Sequence, residues 1–76
     1  MKYAIQYEER KGKTGIFNRK LYNSFEEACA GLKAYIRSNF YNNEIEPPDC
    51  DDFGGQISKG TFYSEEQNFE VIKLNE

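Results

Sequence analysis

The chain has no histidine and no tryptophan, and only two cysteines, two prolines and one methionine in 76 residues. Each scarcity closes a class of function. Without His, a Ser or Cys nucleophile lacks its usual base, and no zinc spacing can be written. Cys29 and Cys50 are too few for a disulfide scaffold, so reduced thiols and a cytoplasmic setting are expected. Gly54-Gly55 stands alone and forms no phosphate-binding motif. No stretch approaches the roughly 20 apolar residues of a membrane span. Met1 to Glu8 lacks the uninterrupted apolar run of a signal peptide. Paired carboxylates can hydrolyse glycosides, but only within a deep cleft, which so short a chain is not expected to build. The expectation is a protein that is not an enzyme, holds no cofactor and enters no membrane.

Aromatic rings are abundant: six Tyr and six Phe stand against six Ile, three Leu and one Val. Such rings fill cores and also anchor interfaces. A chain of this length buries only about 60% of the surface its unfolded form exposes, so a single domain, residues 1–76, of modest stability is expected. The net charge of −3 conceals a split. Residues 1–41 hold eight Lys/Arg against four Asp/Glu, a balance of +4; residues 42–76 hold two against nine, a balance of −7. This asymmetry points to a charged partner, or to halves that fold together and partly neutralise each other.

The periodicities predict an α+β fold of order ββαββ, a mostly antiparallel four-stranded sheet with one helix packed on one face. Tyr3, Ile5 and Tyr7 alternate with polar neighbours as in a half-buried strand. Glu9 to Gly15 reads as a hairpin loop and Ile16 to Tyr22 as the second strand. Ser24 and Glu27 form a capping box. Phe25, Cys29, Leu32, Ile36 and Phe40, with Ala28 and Tyr35, make the apolar stripe of the helix. Asn42-Asn43 stops it and Pro47-Pro48 forbids its return. Residues 44–55 read as a loop. Gln56 to Tyr63 is the predicted third strand, with a bulge at Gly60, and Phe69 to Leu74 the fourth. The uncovered sheet face is a candidate contact surface, for a homodimer among other partners.

Two charged segments are candidate sites. Glu44, Glu46, Asp49, Asp51 and Asp52, followed by Phe53, place five carboxylates in nine residues stiffened by two prolines. Carboxylates on a restrained loop suit a protein partner with a basic surface. Asp49-x-Asp51 begins like a calcium loop, but the Gly and the closing Glu are not where such a loop needs them. Cys50 sits between two carboxylates, a poor setting for a nucleophile. Arg10, Lys11, Lys13, Arg19 and Lys20 put five cations within eleven residues of the first hairpin, beside Tyr7, Phe17 and Tyr22. That pattern suits single-stranded nucleic acid. The overall acidity, with a sequence pI near 5.0, opposes it.

Met1-Lys2-Tyr3-Ala4-Ile5 together with Ser24-Phe25-Glu26-Glu27-Ala28 resembles the N-terminal domain of HicB-type antitoxins. Those open with a similar strand and later enter a helix through a Thr/Ser-x-Glu-Glu-Ala step. The likeness covers at most residues 1–40, and the family's Pro/Gly-rich segment before the helix is replaced here by the strand-like Asn18 to Asn23. The resemblance implies a nucleic-acid-binding or antitoxin-like regulator. In size, acidity, aromatic content and lack of catalytic groups, the chain is also similar in kind to phage-encoded inhibitors such as anti-CRISPR proteins. The leading expectation is a binding protein that occludes or regulates a macromolecular partner through the acidic loop, Glu44 to Asp52 with Phe53, together with uncovered sheet residues. Nucleic-acid binding through the basic hairpin is the alternative.

Overall fold

Ser24 opens the helix as its sequence predicts. In the computed structural model, which describes residues 1–74, its hydroxyl accepts from the Glu27 amide at 3.1 Å at the start of α1 (Phe25–Phe40). The Glu27 carboxylate reaches one residue beyond the expected box and accepts from the Asn23 amide at 3.3 Å. At the far end Asn42 and Asn43 turn left-handed, and the Asn43 amide donates to the Arg37 carbonyl at 3.0 Å. That closes the helix.

Strands β1 (Lys2–Glu9), β2 (Thr14–Ile16), β3 (Thr61–Tyr63) and β4 (Gln67–Leu74) form one antiparallel sheet in the order β2-β1-β4-β3. β1 and β4 pair along their whole length, from Lys2↔Leu74 to Glu9↔Gln67. The inner face of this central pair carries Tyr3, Ile5, Tyr7, Phe69 and Val71, which pack with Ala28, Leu32 and Ile36 of α1. Ile5, Leu32, Ile36 and Phe69 are fully buried, each stabilising the fold by about 1.5–3 kcal/mol. An aromatic chain widens the core: Phe17 meets Tyr35 at 4.3 Å, Tyr35 meets Phe69 at 5.3 Å, and Phe62 meets Phe40 at 5.3 Å. The outer face of the sheet is covered by no helix or strand of the described residues. None of their helices is long and apolar enough to cross a membrane.

The predicted second strand is broken. β2 ends at Ile16, and Phe17–Arg19 form a 3₁₀ turn in which Asn18 and Arg19 are left-handed, with φ of 55° and 52°. Pairing with β1 resumes only at Tyr3↔Tyr22. Phe17 and Tyr22 are five residues apart, so a continuous strand would put them on opposite faces. Between Gln6↔Ile16 and Tyr3↔Tyr22, β1 advances three residues and its neighbour six. The three looped-out residues reverse the alternation and let both rings enter the core.

The predicted third strand is shortened for the same reason. Ile57 and Phe62 also stand five apart and both pack inward. A 3₁₀ turn, Ile57–Lys59, closed by left-handed Gly60 (φ 80°), replaces the first half of the strand and changes the alternation. The bulge expected at Gly60 is the end of this turn. The first hairpin is tighter than expected. The Gly12 amide donates to the Glu9 carbonyl at 2.8 Å and the Glu9 amide to the Lys13 carbonyl at 2.7 Å, with Gly12 at φ 91°. This is a type I turn ended by a left-handed glycine, a position where a Cβ is costly.

Candidate functional site

The acidic segment serves first as a seal. Asp49 caps the Ile57–Lys59 turn: its carboxylate accepts from the Ser58 hydroxyl at 2.7 Å, the Ser58 amide at 2.8 Å and the Gln56 side-chain amide at 2.9 Å. Those bonds, the Ser58 hydroxyl foremost, hold its carboxyl below the ordinary carboxylate range. Asp51 accepts from the amides of Phe53 at 2.7 Å, Gly55 at 2.9 Å and Tyr63 at 2.7 Å. Burial pushes the Asp51 carboxyl up, but the converging amides of Tyr63, Gly55, Phe53 and Gly54 together outweigh it, and the group is held low.

β3 is an edge strand, and its outward amides are those of Thr61 and Tyr63. The Thr61 amide donates to the Gln56 carbonyl at 3.0 Å and the Tyr63 amide to Asp51. Residues 49–56 therefore close this edge of the sheet against another chain. The Asx turn Asp51-Asp52-Phe53 and the glycines behind it fold the loop back sharply enough to do so.

Glu46 is also engaged, in an ion pair with Lys33 at 2.8 Å; the Lys33 ammonium holds its carboxyl low. Among the described residues Glu44 and Asp52 have no ion pair, and both are exposed. Beside Asp52 lies an open groove of about 190 Å³ between the end of α1, the loop and β3; its lining includes Phe40, Pro48, Asp52, Phe53, Phe62 and Tyr63. Phe40 and Phe53 keep 46% and 54% of their surface in water. Helical spacing places Phe40 on the apolar stripe of α1. In the last turn of α1 it meets Tyr35 and, on the edge strand β3, Phe62, and nearly half of its surface stays in water.

The five cations of the first hairpin fall into two groups. Arg10, Lys11 and Lys13 belong to the turn after β1, whereas Arg19 and Lys20 sit on the looped-out segment beside Tyr3 and Tyr22. The six-residue step along β1 from Glu9 to Tyr3 separates the groups by roughly 20 Å. The turn also lies against an acidic neighbour, since the Arg10 amide donates to the Glu66 carbonyl at 2.9 Å. Lys20 holds its ammonium 5.2 Å from the centre of the Tyr22 ring, a cation–π contact. Burial pushes the Tyr22 hydroxyl pKa up. On the uncovered sheet face Ala4 is fully buried opposite Ile72, with Leu74 opposite Lys2 at one end, while Gln6, Glu8, Asn68 and Glu70 make the other end of the central pair polar.

Cys29 lies half-buried on α1; burial, then the charges of Glu26 and Asp49, push its thiol up, away from reactivity. Comparison of the chain with protein-family models, curated proteins and solved structures finds no match.

Proposed function

We propose that this protein is a small, non-enzymatic binding module that docks on a larger protein with a basic surface and so occludes or regulates it. One observation supports this reading above the rest: two half-exposed phenylalanines, Phe40 and Phe53, line one groove together with the unpaired carboxylate of Asp52. Large rings left in water at a concave site act as interface anchors at small entropic cost. The loop that carries Phe53 and Asp52 is pinned through Asp49 and Asp51, so little ordering remains to be done on binding. Asp52 and Glu44 supply the charge that draws in a cationic partner and sets its orientation. Occlusion asks only for a stable fold and a complementary surface, which is the mode of the phage-encoded inhibitors the chain resembles in kind.

The test uses a photo-crosslinking phenylalanine analogue at position 53 in native host lysate, with and without nuclease. The expected result is a protein adduct that survives nuclease. It should vanish in Asp52→Lys with Phe40→Ala and persist in Lys11→Glu with Lys13→Glu. Recovery that collapses on nuclease treatment, or that depends on Lys11 and Lys13 alone, transfers the function to the basic hairpin and nucleic acid.

A further inference from the structure

The two edges of the sheet are treated in opposite ways. The β3 edge is closed by Asp51 and Gln56, as described above. The β2 edge is open. The Glu9 amide donates to the Lys13 carbonyl at the end of the first hairpin, so Tyr7 and Gly15 form the next bonded pair. By the alternation of an antiparallel ladder, Thr14 and Ile16 then direct their N–H and C=O groups away from β1. No backbone partner for either residue occurs among the described residues on that side. Ile16 is extended, with φ −98° and ψ 124°, ready to pair.

We propose that the free edge of β2 takes up an extended acidic segment of a partner protein as a fifth strand. Its charge decides the occupant. Five of the chain's ten Lys/Arg flank this three-residue strand: Arg10, Lys11 and Lys13 before it, Arg19 and Lys20 after it. A second copy pairing edge to edge would set these like charges against each other, which repels it. An anionic strand meets complementary charge at both ends and gains the backbone bonds of Thr14 and Ile16. Gly15 adds a side-chain requirement. It puts no side chain on the inner face, and Tyr7 ring atoms lie 3.0 Å from where its Cβ would be. An apolar residue of the incoming strand beside Gly15 can rest against that ring. On the outer face Ile16, 36% exposed, offers a second apolar contact. The segment that fits alternates acidic and apolar residues. This inference uses a different surface from the groove and stands or falls separately from it.

The experiment is an amide-resolved NMR titration of the intact protein with a short capped peptide alternating Glu and Val. A Lys/Val peptide and a single-stranded oligothymidylate serve as the comparison ligands. The Glu/Val peptide is expected to shift the Thr14 and Ile16 amides and slow their hydrogen exchange, and the Lys/Val peptide to leave both unchanged. Lys13→Glu with Arg19→Glu should weaken binding about tenfold, the strength of two surface ion pairs. Ile16→Pro removes a donor that faces solvent and should abolish the slowed exchange while the β1–β4 amides keep their positions. Should that variant fail to fold, the charge-reversal pair carries the test. Unmoved Thr14 and Ile16 amides in the wild type overturn the proposal. So does undiminished binding in the charge-reversed protein, or a response of these amides to the oligothymidylate alone.

Discussion

The Asp51 carboxylate accepts the backbone amide of Tyr63 at 2.7 Å, across twelve residues of sequence. This one bond ties the acidic loop to the sheet, satisfies an edge amide of β3, and sets the wall of the groove that Phe53 lines. Loop, edge and groove are consequently one structural unit.

Asp51→Ala is therefore expected to cost far more than its neighbours on the loop. Three amides lose a charged acceptor, and the Tyr63 amide is left at a sheet edge. A loss of about 2–4 kcal/mol in unfolding free energy follows from hydrogen bonds to a charged group. Asp52→Ala, at an exposed position, should stay within about 0.5 kcal/mol. Urea denaturation of both variants measures the contrast, and equal losses would refute the anchoring role. Light scattering on Asp51→Ala should also report self-association through the opened edge.

The same carboxylates make stability sensitive to acid. Asp49 and Asp51 both have folded-state pKa values below their ordinary ones. Their contribution is thus complete above the unfolded carboxylate value, near about pH 4. It is lost as pH falls through the lower folded values. Thermal melts should show little change traceable to these groups between neutral pH and about 5, then a decline below about 4. In Asp51→Asn that decline should be shallower, because one of the linked protons is gone. A wild type and variant with parallel acid limbs would contradict the assignment.

The elements that were legible in the sequence are those in which local signals and packing agree. Ser24 and Glu27, the Leu32–Ile36 stripe and the paired asparagines at 42 and 43 specify the helix without reference to the rest of the chain. β1 was visible because its alternation runs unbroken through Ile5; in β4 the adjacent Val71 and Ile72 put apolar groups on both faces, and the strand begins two residues before Phe69, at Gln67. The second and third strands were over-extended because Phe17 and Tyr22, like Ile57 and Phe62, lie an odd number of residues apart and yet enter the same core. Only a change of alternation between them reconciles the two burials, and the 3₁₀ turns that provide it leave little local trace. The acidic loop was visible as a charge cluster. Its composition did not reveal that the Asp49 and Asp51 carboxylates are taken up by donors of Gln56, Ser58, Phe53, Gly55 and Tyr63, since a carboxylate that caps a turn and one in open solvent read alike.

Gly31 shows how closely the helix approaches the resumed pairing at Tyr22. A Cβ added there would lie 2.8 Å from atoms of the Tyr22 ring. In a free helix, Gly→Ala gains about 1 kcal/mol. Here crowding of about 1–3 kcal/mol opposes it. A net loss near 1 kcal/mol is expected for Gly31→Ala, from crowding that slightly outweighs the helix gain. Tyr22→Leu costs stability by itself, but in that background Gly31→Ala should become stabilising. A double-mutant cycle by denaturation reads the sign change; additive effects would mean that Tyr22 does not limit the approach.

The aromatic residues divide into rings that build the core and rings left for contact, and the division can be measured. Phe17 meets Tyr35 edge to face and reaches Phe69 at 6.1 Å, linking the looped-out segment to the helix and to β4. Removing it opens a hole among partners that cannot close in, so Phe17→Ala should cost about 2–4 kcal/mol, somewhat less than a fully buried phenylalanine. Phe53 makes no ring contact among the described residues, and more than half of its surface is in water. Phe53→Ala should change stability by less than about 0.5 kcal/mol. If denaturation gives that result, any binding lost with Phe53 is a loss of contact and not of fold. If Phe53→Ala instead unfolds the protein to the extent that Phe17→Ala does, the ring belongs to the core and the groove loses its anchor.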